Sequence, residues 1–393
     1  MGGDVTLSIN LPAAAGKIEV FRLKSNVPPP DRQKVPFNRI ALAATHVVAD
    51  PRANNDPWLD AAPDWDRTIA FREYLWDLGL GVAEAMDTAQ RGMGLDWPLA
   101  LELIKRSLAA ARVRPGAVLF SGAGTDHLLP NDARSIDDVI RAYEQQFEAI
   151  EAAGGRIIFM ASRALARVAR NPGDYAKVYD RILRGARDRV IIHWLGDMFD
   201  PALKGYWGST DLGSAMETAV GVINANAGKI DGVKISLLDK SKEIAMRRRL
   251  AEGVRMYTGD DFNYAELIAG DAHGHSDALL GIFDVIAPAA AHALSALAAG
   301  DTRRFNDILG PTVPLSRHIF KAPTRFYKTG VVFMAYLNGH QDHFTMIGGQ
   351  ESARSTLHLA ELFRLADAAN LFRDPERAVS RMRAVLAVRG IEA

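Results

Sequence analysis

The chain contains no cysteine. That excludes disulfides, thiolate nucleophiles and Cys-ligated metal centres, and it suits a reducing cytoplasm, which is the expected location. It also has no net charge, because 47 Lys and Arg balance 47 Asp and Glu. Nothing in that balance points to nucleic acid, an anionic membrane or a polyacidic partner. No apolar run reaches the roughly 18 residues a membrane helix needs. The alanine-rich stretch 284–299 is broken by Pro288 and reads as a buried helix. The N-terminus lacks a basic segment followed by an apolar one, so a secretory signal is not expected. No Gly-x-Gly-x-x-Gly follows the first predicted strand, which counts against a dinucleotide-binding sheet. What remains is ordinary globular composition, 48% apolar and 24% charged over 393 residues. That length accommodates one large domain with additions.

Residues 1–37 read as an extension. Thr6-Leu7-Ser8-Ile9 and Lys17-Ile18-Glu19-Val20-Phe21 alternate apolar and polar, as an edge hairpin does, and Val27-Pro28-Pro29-Pro30 reads as a stiff linker. From Asn38 onward, short apolar runs alternate with longer segments of helical periodicity. Predicted strands are Arg39–Thr45, Gly81–Met86, Ala117–Gly122, Arg156–Met160, Val190–His193, the run from Ile230 that ends at Lys234, and Val254–Tyr257. Predicted helices include Asp66–Leu78, Trp97–Ala111, Ser135–Ala153, Ala176–Gly185, Leu212–Asn226 and Lys240–Glu252. Seven clear βα units and a weaker eighth near Gly270–Asp277 favour a closed (β/α)8 TIM barrel over an open sheet. The barrel is expected to span residues 38–288, followed by a helical region over 289–393.

In such a barrel the chemistry lies at the C-terminal strand ends. Lys234 sits at one of them. A lysine projecting into an apolar barrel mouth has its ammonium form destabilised by desolvation, and a neutral amine attacks carbonyls to form a Schiff base. His193, at the end of the preceding predicted strand, is an imidazole that ordinarily titrates near neutrality and is suited to relay protons beside an imine. The Thr88 hydroxyl suits either of two roles, donating to a carboxylate or keto oxygen of the substrate or capping the following helix. Asp87, with Arg91, is placed to orient hydroxyls of a polyol chain. Ser236 and Gly259 complete the expected substrate-binding set. Asp260 reads as a turn residue, and Asp261 as either a partner of Lys234 or a cap. A competing constellation is metal: His46, Asp87, His193, His273 and His275 all fall near predicted strand ends, and such sets bind Zn²⁺ or Mn²⁺. If His273 and His275 lay on a strand, both rings would share one face. That reading would give a metal-dependent sugar isomerase, epimerase or aldolase. A third reading is a barrel that binds small molecules without turnover.

Gly232-Val233-Lys234 followed by Tyr257-Thr258-Gly259-Asp260-Asp261 resembles the dihydrodipicolinate synthase / N-acetylneuraminate lyase superfamily. Asp87-Thr88-Ala89-Gln90-Arg91-Gly92, the segment from Gly281 to Pro288, and Ala299-Gly300-Asp301 match that family in order, so the resemblance spans roughly residues 38 to 310. It is similar to a divergent branch. The resemblance implies a TIM barrel and a class I aldolase-type lyase in which Lys234 carries the imine. It implies no cofactor, a small-molecule carbonyl substrate, and a homodimer or homotetramer. Two departures stand out. The segment Ile192-His193-Trp194-Leu195-Gly196-Asp197-Met198 puts His193 where the family has a proton-relaying tyrosine, and Met198 where it has a substrate-binding arginine. Ala89 replaces the second threonine of the family's loop. Condensation of pyruvate with a semialdehyde is therefore not the expected reaction; the imine-forming lysine is what carries over.

Overall fold

The computed structural model describes residues 7–24 and 35–392. The expected Pro28-Pro29-Pro30 linker lies outside the described residues. Strands β1 (Ser8–Pro12) and β2 (Ile18–Arg22) form the antiparallel hairpin that the alternation predicts. Eight further strands follow: β3 (Ala41–Ala44), β4 (Gly81–Glu84), β5 (Leu119–Ala123), β6 (Arg156–Phe159), β7 (Val190–Leu195), β8 (Ile230–Ser236), β9 (Arg255–Thr258) and β10 (Asp277–Leu280). They pair in parallel and in sequence order, and β10 returns to β3 to close the barrel. Between them run α1 (Trp65–Asp77), α2 (Trp97–Arg112), α3 (Ile136–Ala152), α4 (Arg163–Val168), α5 (Pro172–Gly185), α6 (Leu212–Ala225), α7 (Lys240–Arg247) and α8 (Tyr264–Ala269). The protein is thus a (β/α)8 TIM barrel with additional helices.

Local chemistry sets the helix starts. Asp96, Asn171, Asp211 and Asp239 each accept a first-turn N–H from the N-cap position. At α3, Ser135 and Asp138 form a reciprocal capping box. Parallel barrel strands are covered on both faces, which is why β8 is buried at every position despite carrying Asp231, Lys234 and Ser236. Leu42, Ala83, Phe120, Ile158, Ile191, Tyr257 and Leu279 pack together inside the barrel. Since side chains alternate along a strand, these residues define which neighbours also face inward.

The chain divides into two compact units. One comprises Arg39–Thr45 and Arg72–Gly281, the barrel strands and the helices after Phe71. The other comprises the described residues up to Asn38, His46–Phe71, and the described residues from Ile282 onward. It holds α9 (Ile282–Val285), α10 (Ala287–Ala298), α11 (Thr302–Leu309), α12 (Val313–Ile319), α13 (Tyr327–Leu337), α14 (Thr356–Ala368) and α15 (Pro375–Val388). Within this second unit the hairpin packs on α14, with the Phe21 and Phe363 rings edge to face at 6.3 Å. Arg364 donates to the Pro12 carbonyl at 3.1 Å. His46 is fully buried and paired through Nδ1 to Asp284 at 2.7 Å.

The eighth βα unit differs from its sequence expectation. Gly270–His275 is a turn, with Gly270 and Gly274 in the left-handed region (φ 84° and 139°), and the strand begins only at Asp277. His273 and His275 therefore precede β10 at its N-terminal end. They share no strand face, and they stand opposite the end where barrel chemistry is located.

Candidate active site

Lys234 faces into the barrel. It is in register with Tyr257 on β9 and with His193 on β7. Tyr257 belongs to the interior cluster, as does Ile191, two residues before His193. In-register neighbours on parallel strands share a face, so His193 and Lys234 project inward side by side. Both are buried, at 1% and 7% exposure. Two glycines make the room. A Cβ on Gly232 would lie 2.6 Å from the Tyr257 ring. A Cβ on Gly259 would collide with the Ser236 hydroxyl and lie 2.8 Å from Lys234 Cε and 2.7 Å from the Ile235 carbonyl. Gly259 thus serves by having no side chain, letting the lysine stem and the Ser236 hydroxyl cross its backbone.

Below the lysine, the Tyr257 hydroxyl donates to Asp231 at 2.6 Å. Arg255 donates to the same carboxylate at 3.2 Å. This closes the floor of the barrel with a satisfied polar plug. Above it, burial pushes the Lys234 ammonium below the usual lysine pKa, and the carboxylates of Asp261 and Asp87 offset that only in part. Burial, helped by the adjacent Lys234 charge, holds His193 well below its usual value. This corrects the expectation of a histidine titrating near neutrality: at pH 7 His193 is a neutral base. Its Nε2 meets Ser236 Oγ at 3.2 Å, and its Nδ1 is buried with no hydrogen-bond partner among the described residues.

A cavity of about 330 Å³ opens over the ends of β4 to β7. Asp87 and His193 line it, together with Thr125, Ser162, Arg163 and Asp200. Lys234 is not among its lining residues; it lies beside His193, one strand further round. The Thr125 and Ser162 hydroxyls are 2.6 Å apart. Thr125 and Asp200 are not marked by the sequence pattern, because the predicted strands before them stop at Gly122 and His193, three and seven residues short of them.

Arg91 does not orient substrate. Its Nε and Nη2 grip Asp126 bidentately at 2.8 and 2.7 Å, Nη1 donates to the Ala85 and Gly122 carbonyls, and Nη2 also reaches Gln146 at 2.7 Å. All five guanidinium donors are taken. They bolt the loop after β4 to β5 and hold Ala85 at a positive φ of 53°. The other cavity arginine, Arg163, is paired with Asp200 at 2.5 Å. Thr88 is buried in the 3-10 turn Asp87–Ala89, and the cap of the following helix is supplied by Asp96 instead. Asp260 is the turn residue expected, accepting from the Phe262 and Asn263 backbones at 2.8 and 3.1 Å. Asp261 is the carboxylate that acts on Lys234 most strongly.

The histidines of the metal reading are dispersed. His46 is engaged by Asp284 in the other unit, His273 and His275 precede β10, and His193 meets Ser236. Among the described residues no three His, Asp or Glu side chains converge as a metal-binding group.

The chain matches a protein family over residues 9–391, nearly its whole length. It belongs to the family described as "Protein of unknown function (DUF993)". No curated protein matches it by sequence. Its fold is that of the dihydrodipicolinate synthase family. YagE, a prophage protein of that family from E. coli K12 solved with pyruvate, superposes with a TM-score of 0.65 at 12% identity, over 85% of this chain and 99% of that one. The chloride-inhibited dihydrodipicolinate synthase of Acinetobacter baumannii, also complexed with pyruvate, gives 0.61 at 14%, over 85% and 99%. The Oceanobacillus iheyensis enzyme gives 0.59 at 13%, over 83% and 96%. Among the described residues no helix is long and apolar enough to cross a membrane.

Proposed function

We propose that the protein is a Schiff-base lyase, an aldolase or dehydratase acting on a 2-oxo acid or a sugar-derived carbonyl compound. The carrying observation is the buried, inward-facing Lys234 beside the neutral His193, each two residues before the C-terminal end of its barrel strand. Burial enlarges the uncharged fraction of the amine. That amine adds to the substrate carbonyl, and loss of water leaves a protonated imine. The imine accepts the electron pair released when the neighbouring carbon–carbon bond breaks, or when a proton leaves and a β-hydroxyl departs. His193 takes and returns that proton. Thr88, Ser236 and the backbone at Gly259 hold polar substrate groups, and Asp87 faces a hydroxylated chain. Since the imine is the electron sink, no cofactor is required.

Two things narrow the substrate. Two proteins of this fold were solved with pyruvate, which supports a 2-oxo acid head. Both arginines of the cavity are already paired with carboxylates. A second substrate carboxylate would find no free guanidinium there, whereas hydroxyls would find the Thr125–Ser162 pair. We further propose that residues 38–288 form the catalytic barrel domain, with 1–37 and 289–393 as additions. The expected assembly is a homodimer or homotetramer, located in the cytoplasm and acting independently of nucleic acid and membrane.

The test is borohydride reduction in the presence of a panel of 2-oxo acids and hydroxylated carbonyl compounds, followed by peptide mass mapping. An adduct on Lys234 supports the reading. Adducts only on other lysines, or none across the panel, would sink it.

A further inference from the structure

The helical unit contains a second cavity, about 390 Å³, between the C-terminal end of α12 and the first turn of α14. His318, Lys321, Arg354, Ser355, His358 and Glu361 supply its polar lining. None of them belongs to the barrel unit. The pocket has three features that a packed protein interior does not keep without a reason.

The first is His358. It is 5% exposed, and neither Nδ1 nor Nε2 has a hydrogen-bond partner among the described residues. A neutral imidazole carries one N–H and one bare nitrogen, so both a donor and an acceptor are buried unmet, which native structures generally avoid. Its ring stacks on that of His318, with centroids 4.2 Å apart and planes 18° from parallel. His318 Nε2 donates to the His358 carbonyl at 2.9 Å, so the stack is fixed in place.

The second is Arg354. It is 7% exposed, and its Nη atoms donate to the Lys321, Ala322 and Pro323 carbonyls. These hold the turn after α12, but its Nε is buried and unmet. Among the described residues neither Arg354 nor Lys321 has an ion-pair partner, while Glu361, the acid of the pocket, is within 3.6 Å of Arg364. The third is the start of α14. This helix is 13 residues long, capped by Ser355, and His358 sits in its first turn. The leading N–H groups of a helix and its dipole favour an anion there.

We propose that this cavity is a binding site for a phosphate oxyanion, carried either free or as the monoester of a small metabolite. Lys321 and Arg354 supply charge, His358 an N–H donor, and the α14 first turn further donors. A cavity of this size holds an ester of a few carbons beyond the phosphate. Burial, with His318, Arg354 and Lys321 nearby, lowers His358 to a pKa of about 3. The imidazole is therefore neutral in the free protein, and the positive charge of the pocket comes from the guanidinium and the ammonium.

Calorimetric titration of the full chain with inorganic phosphate and, separately, with glycerol 3-phosphate tests this at constant ionic strength, with chloride as control. The expected result is saturable binding with a Kd on the order of 1 mM or tighter. It should weaken about tenfold in both Lys321→Ala and His358→Asn, as for loss of one charge-assisted contact. Tighter binding of the ester identifies a metabolite site; equal binding identifies a phosphate site. Lys321 is exposed, so Lys321→Ala keeps the test decisive should His358→Asn fail to fold. Lys234→Ala should bind phosphate as wild type does. Absence of saturable binding, undiminished binding in Lys321→Ala, or loss of binding in Lys234→Ala would each overturn the proposal. So would phosphate insensitivity joined to a changed oligomeric state in Lys321→Ala, which would assign this face to a subunit contact.

Discussion

Lys234 and His193 are register partners on adjacent parallel strands, and the charge of the first opposes protonation of the second. Their electrostatics are therefore coupled, with burial the larger influence on both. His193 should remain neutral down to well below pH 6.5 in the wild type. In Lys234→Met its titration should move upward yet stay below the free-histidine value, because burial persists. Imidazole-resolved NMR across a pH series reads this directly. A His193 midpoint near 6.5 in the wild type would contradict the buried pairing.

Gly259→Ala puts a methyl group where the Ser236 hydroxyl, the Ile235 carbonyl and Lys234 Cε already lie. Overpacking of this kind costs about 1–3 kcal/mol, so the melting temperature should fall, and borohydride trapping at Lys234 should be largely lost. Ser236→Ala added to this variant removes the tightest of the three collisions. It should recover part of the stability while leaving trapping impaired. Full recovery of trapping would show that the glycine matters only through the serine.

Arg91 is 3% exposed at the side chain and saturates its five donors on two carbonyls, Asp126 and Gln146. Removing it strands the largely buried Asp126 carboxylate. Arg91→Ala should therefore destabilise the fold by about 3–5 kcal/mol in denaturant titrations. Arg91→Lys should restore little, because an ammonium cannot reproduce the planar fork. Folded Arg91→Lys should still trap substrate on Lys234.

Glu243 on α7 is 1% exposed, accepts from Ser276 Oγ at 2.7 Å, and is pushed by burial to a pKa of about 8. In the unfolded chain this carboxyl loses its proton near 4.5. Between those values the folded state binds more protons than the unfolded state. Stability therefore falls as pH rises through that window and levels off above it. Glu243→Gln removes the penalty. It should stabilise by roughly 2–3 kcal/mol at pH 7, with no gain below pH 4. Thermal melts of the two proteins across pH 4–9 check the sign.

Much of the barrel is legible in the sequence because each buried strand is a short apolar run bounded by polar turns. The strand at Ile230 is recovered at its start but runs two residues past Lys234, to Ser236, and α2 and α3 are recovered to within a residue. The eighth strand is not, because Asp277–Leu280 runs almost directly into the apolar α9 at Ile282, with only Gly281 between. The polar turn before it, rich in Gly and His, therefore carries the visible pattern. Lys234 is legible because a lysine set between Val233 and Ile235 in a strand buried at every position needs a reason. The role of Arg91 is not, since its partners Asp126 and Gln146 lie 35 and 55 residues away. Nor is the grouping of His46–Phe71 with the C-terminal helices, which rests on pairs as distant in sequence as Arg67 and Asp342, 2.6 Å apart.

The shielded position of Lys234 also bears on chemical labelling. An amine that is 7% exposed and more often uncharged than its surface counterparts is hidden from bulky acylating reagents, which should mark the outer lysines and spare this one.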